Sequence, residues 1–133
     1  MDLSKLTPAP WEASRRDWRN NDAGFDRYIH GDIRESEYGG KVATGVAIVQ
    51  GNATSGTIQD ANAEFIALAR NAFDVMMRRG WKISRKAGGQ WRVDVPTRKP
   101  YDGASWECLA DDPFTALIEA DRWYREHVER IEQ

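Results

Sequence analysis

The sequence predicts an α+β fold: an antiparallel sheet of about five to six strands with two helices packed on one face, in the order βββ-α-βββ-α. Three observations lead there. Two long segments repeat apolar residues at a helical period, runs of period-two alternation lie before and between them, and turn-forming clusters punctuate those runs. At 133 residues the chain has the length of one domain. Residues 1–133 are therefore expected to form a single unit, β-rich over 1–56 and α-β-β-β-α over 57–133.

The N-terminal part offers strands over Trp11 to Trp18, Arg27 to Ile33 and Lys41 to Val49, separated by "NNDAG" and "ESEYGG". Trp11 and Trp18 have opposite parity, so burying both requires a bulge or a break. "HGD" at 30–32 reads as a turn and "QGNATSG" as the loop into the first helix. That helix starts near Thr57–Asp60. Phe65, Leu68, Ala69, Ala72 and Met76 form its apolar stripe, which Ile66, Phe73 and Met77 widen into a face expected to be buried. Arg78 and Arg79 suit its negative C-terminal end, and Gly80 supplies the left-handed residue beyond it.

A hairpin follows. Trp81 and Ile83 alternate with Lys82 and Ser84, "AGG" at 87–89 turns the chain, and Trp91, Val93 and Val95 alternate with Arg92 and Asp94. "ASWECLA" around Trp106 gives the next strand. The second helix opens at Asp112, a good N-cap, with Pro113 at the first helical position. Its apolar face is expected at Phe114, Leu117, Ile118, Tyr124, Val128 and Ile131. Asp121–Arg125, Arg122–Glu126 and Glu126–Arg130 are spaced as i,i+4 ion pairs on the wetter side.

Composition narrows the function. The chain is 41% hydrophobic and 30% charged, as soluble domains are, and no apolar run reaches the length of a membrane span. The N-terminus lacks the basic and apolar regions of a secretory signal, and the single cysteine, Cys108, fits a reducing cytoplasm as a small core residue. His30 and His127 stand far apart, and no metal-binding, nucleophile-elbow or phosphate-loop spacing occurs. The expectation is a protein without a catalytic centre, metal or cofactor.

Charge is segregated along the chain. Residues 78–99 hold eight Lys or Arg against the single acid Asp94, a net +7, whereas the whole chain is −2 and the remainder therefore −9. With both helices on one face of the sheet, Lys82, Lys86 and Arg92 emerge on the other. Arg85 at the hairpin end, and Arg98 and Lys99 in the following loop, are expected to join them. Such a cluster suits phosphates, an acidic protein surface or an anionic nucleotide; the plain alternative is a solvated sheet face. Six tryptophans exceed what the core needs. Trp18 or Trp11, next to Arg15, Arg16 and Arg19, is a candidate stacking platform for a base, and Trp123 a candidate interface anchor.

"LSKLTPAPWE", a GN-containing loop and "ANAEFIALARNAF" together resemble the Ead-like small accessory proteins of phages and prophages, over residues 3–75. The C-terminal half is similar in its helix–sheet–helix order to uncharacterised phage domains of the ABA-sandwich kind. The resemblance implies a non-enzymatic protein of the host cytoplasm that binds and inhibits a host protein or ribonucleoprotein, such as a CRISPR or other anti-phage defence component. Sequestration of a nucleic acid or nucleotide is the alternative. It supplies no catalytic residues.

Overall fold

A computed structural model describes residues 2–15, 26–51, 56–96 and 105–129. The elements follow the expected order: strands β1 (Glu12–Ser14), β2 (Arg27–Glu35) and β3 (Lys41–Val49), helix α1 (Gly56–Arg79), strands β4 (Lys82–Arg85), β5 (Trp91–Pro96) and β6 (Ser105–Ala110), and helix α2 (Pro113–Tyr124), prolonged by a π-turn over Arg125–Glu129. The fold is α+β. The strands divide into two antiparallel three-stranded sheets, β1-β2-β3 and β4-β5-β6, where a single sheet was expected. Each sheet is a meander whose strands pair with their neighbours in sequence. The chain forms two compact units, Met1–Asn71 and Ala72–Gln133, divided within α1.

In the first unit, the segment Thr7–Trp11 is fastened at several points. The Asn71 side chain brackets the Trp11 backbone, accepting from its N–H at 2.7 Å and donating to its carbonyl at 2.9 Å. The indole N–H of Trp11 donates to Thr7 O at 3.0 Å, and the Arg70 guanidinium lies 5.5 Å from the ring centroid. Gly31 permits this: an added Cβ would stand 2.6 Å from the indole and 2.7 Å from the Thr7 methyl. Trp11 thus packs the N-terminal segment onto the sheet. "HGD" is not a turn between strands. His30, Gly31 and Asp32 continue β2 through register shifts, with Asp32 at φ 49° absorbing the bend.

The second unit closes over a core of Ala72, Val75, Val93, Val95, Cys108, Ala116, Leu117 and Ala120, flanked by partly buried Trp81, Ile83, Trp91 and Trp106. The Asp112 side chain accepts from the Thr115 N–H at 2.8 Å and caps α2, whose Pro113 needs no donor partner. Asp121 is not on the wet side of α2. It is buried and gathers three arginines: Arg79 Nε at 2.8 Å, Arg125 Nε at 3.1 Å and Arg78 at 3.4 Å. Arg79 also reaches Glu129 at 2.6 Å and lies over the Tyr124 and Trp81 rings.

The apolar stripe of α1 is likewise placed differently from expectation. Ala63, Ala67, Ala72 and Val75 are buried, whereas Phe65, Met76 and Met77 are exposed. The buried positions of the helix are small residues, and several bulky ones stand on its outer surface.

Two consequences are measurable. Asp121→Ala removes the only carboxylate of the cluster that is itself buried and leaves the half-buried Arg79 with Glu129 alone, so urea unfolding should show a loss of about 3 kcal/mol. The hydrogen bond from the Thr115 backbone N–H holds the Asp112 carboxyl below its ordinary range. Its capping contribution is therefore present above the unfolded carboxylate pKa and is lost as pH falls through the lower folded value. Asp112→Ala should lose about 1 kcal/mol at neutral pH, and the difference from wild type should shrink in acid.

Candidate functional site

The outer face of the second sheet is built by alternation. Residues facing Trp91, Val93, Val95 and Cys108 pack inward with α2, so their neighbours in sequence point the other way. Cross-strand register sets two rows on that outer face. Lys82, Asp94 and Glu107 form one; Ser84, Arg92 and Leu109 form the other. Lys86 stands beyond β4 and bonds Glu107 at 3.0 Å. Arg92 Nε reaches Asp94 at 2.6 Å and Glu107 at 3.2 Å. The hydrogen bond that Arg92 donates to Asp94, with the carboxylate's negative charge, raises the already high pKa of Arg92, so this cation persists at any physiological pH. Leu109 sits among these charges 40% exposed.

The expected cluster is only partly assembled. Lys82, Lys86 and Arg92 belong to one face as anticipated. Arg85 does not join them, because it pairs in register with Trp91 on the opposite face and its guanidinium lies 5.8 Å from that ring. Trp123 is no bare anchor. It stacks on Trp106 at 4.3 Å and 5°, and on His127 at 5.0 Å and 14°, so both ring faces are occupied. Arg98, Lys99 and Trp18 lie outside the described residues. The sequence reading missed Asp94, Glu107 and Leu109 as members of the face; alternation in "SWECLA" was the signal that places Glu107 and Leu109 beside Arg92.

Two other features bear on chemistry. A cleft of about 210 Å³ in the first unit is lined by Ala13, Ser14, Arg15, Arg27, Asp60, Ala63 and Glu64. Its two guanidinium groups face two carboxylates. Arg27 is buried and ion-paired to Asp60, which Arg15 also approaches at 3.4 Å. The Arg27 hydrogen bond keeps the Asp60 carboxyl below its usual range. Burial raises the pKa of the Cys108 thiol, with Glu119 adding to the effect, which holds it in the unreactive protonated form. Among the described residues no helix is long and apolar enough to cross a membrane.

Comparison with protein-family models, curated proteins and solved structures finds no match.

With three cations and two carboxylates, the outer face carries a net +1. Glu107→Gln should change stability by no more than about 0.5 kcal/mol, since its ion pairs are solvent-exposed. The same change frees Lys86 and leaves Arg92 paired to Asp94 alone, so the variant should elute from a heparin column at higher salt than wild type.

Proposed function

We propose that this is a non-enzymatic binding protein that docks a protein partner on the outer face of its second sheet. The observation that carries the reading is the mixture of signs on that face. Asp94 and Glu107 stand among Lys82, Lys86 and Arg92, an arrangement that offers a run of phosphates only a net +1 and complements a protein surface bearing both signs. Leu109 supplies an apolar contact among them, and protein interfaces combine such a centre with a polar rim. The matching partner carries carboxylates opposite the three cations and an apolar recess opposite Leu109. The resemblance of "TPAPW" and "NAEFIA" to Ead-like phage proteins supports a host partner, with inhibition of an anti-phage defence component as the role.

Affinity capture from host lysate, with and without nuclease, tests this with wild type beside the double variant Lys82→Glu/Arg92→Glu. The expected result is a defined protein that survives nuclease and whose recovery falls at least about tenfold with the variant, which should keep the wild-type circular dichroism spectrum. Equal recovery by the folded variant would remove this face from the interaction. Partners that vanish on nuclease treatment would replace the reading with nucleic-acid binding.

A further inference from the structure

We infer that the cleft of the first unit binds a small zwitterion of the free α-amino acid class, its carboxylate on Arg15 and its ammonium on Glu64. Among the described residues, the cleft is walled by β1 and its end, the start of β2 and the N-terminal part of α1. Exposure orders three of its charges from the interior outward: the Arg27 side chain is 7% exposed, Asp60 34% and Arg15 70%. Glu64 is exposed as well.

The inner pair is satisfied by its own members. Arg27 Nε donates to the Asp60 carboxylate, and Arg27 Nη1 donates to the Asp26 carbonyl at 3.0 Å. A buried guanidinium requires such partners, so Arg27 and Asp60 shape the cleft and are not offered to a ligand.

The outer pair is different. Arg15 makes one long contact, Nη2 to Asp60 at 3.4 Å, which leaves most of its five donors to solvent. Glu64 lines the same cleft and has no ion pair among the described residues. It stands one helical turn beyond Asp60, so two carboxylates share one side of α1. Like charges at that spacing are unfavourable in a helix, and Arg27 relieves only Asp60. An ammonium group entering the cleft would relieve Glu64.

Charge then selects the ligand. Two guanidinium groups and two carboxylates sum to zero. A phosphate would meet Asp60 and Glu64, and a metal ion would meet Arg15 and Arg27. A molecule carrying one charge of each sign satisfies both open groups and leaves the inner pair intact. Size narrows the class further. The small side chains of Ala13 and Ala63 leave a space of about 210 Å³, the liquid volume of about seven waters. Serine has that many non-hydrogen atoms, whereas a peptide overfills the space. The site lies wholly within the first unit, so it stands or falls apart from the docking face of the second sheet.

Amide NMR titration of the whole chain with L-serine, acetate and ethylamine tests the inference. L-Serine should shift the amides of Ala13–Arg15 and Ala63–Glu64 saturably in the millimolar range. Acetate and ethylamine, each with one of the two charges, should bind at least about tenfold more weakly. Arg15→Met and Glu64→Gln change exposed side chains and should keep the wild-type circular dichroism spectrum. Each should weaken L-serine binding at least about tenfold. The single-charge probes should respond in the opposite sense: acetate binds Glu64→Gln more tightly than wild type, and ethylamine binds Arg15→Met more tightly. Absence of saturable L-serine binding, acetate or ethylamine binding as tight as L-serine, or wild-type affinity in either variant would overturn it.

Discussion

A helix with its side chains is about 10–12 Å across and strands lie about 4.8 Å apart, so one helix covers two strands of a three-stranded sheet. That ratio is seen in the second unit. In the second, α2 packs across β5 and β6, and the opposite face of the sheet is left to charged residues. In the first, α1 is fastened on the β1 side through Asp60 to Arg15 and Asn71 to Trp11, while β3 keeps most of its side chains exposed. Two sheets of three strands therefore present more uncovered margin than one sheet of six would, since closing six strands into one sheet removes two edges. The division between sheets is what creates the surfaces on which a binding function rests.

Asp121 holds the second unit together by a different means. Desolvating a carboxylate is expensive unless its partners are in place, and here they come from both ends of the unit: Arg78 and Arg79 close α1, and Arg125 opens the π-turn after α2. Burial opposes the charge of Arg79, but hydrogen bonds to Glu129 and Asp121 outweigh it, and the guanidinium is held above its ordinary pKa. Its plane also lies 4.5 Å from the Tyr124 ring centroid, where cation–π attraction adds to the ion pairs. The cluster thus fixes the last turn of α1 against the end of α2.

Much of the fold was legible because local rules agreed. Gly80 stands at φ +66° with its N–H bonded to Met76 O at 2.9 Å, as a left-handed residue ending a helix does. Asp112 caps and Pro113 starts α2, and Val93 and Val95 point inward while Arg92 and Asp94 do not. The misreadings share one cause. Periodicity shows that a helix has an apolar stripe but not whether a neighbour reaches it, so Phe65 and Met77 were assigned inward when Ala63 and Ala67 are the buried positions. The same limit hid Asp121, whose i,i+4 partner Arg125 is real while its burial depends on Arg79, which stands 42 residues away. The site was legible by strand parity for Lys82, Lys86 and Arg92, and the parity of Arg85 already set it on the other side.

The charge segregation that singles out residues 78–99 changes its meaning once the chain is folded. A run of like charge in sequence becomes a patch only if its members share a face and no counter-charge is brought among them. Here they are distributed. Arg78 and Arg79 are consumed by Asp74, Asp121 and Glu129; Arg85 turns toward Trp91; Lys86 and Arg92 meet Glu107 and Asp94. Of the described cations in the run, Lys82 alone stands on the outer face without an ion pair among the described residues. Apart from Asp94, which belongs to the run, the acids that balance it are drawn from the −9 remainder of the chain, so linear segregation is partly the form in which folded pairing is written. What remains on the face is a mixture of signs with a surplus of only +1, and a mixed pattern discriminates among partners where a large surplus would attract any polyanion.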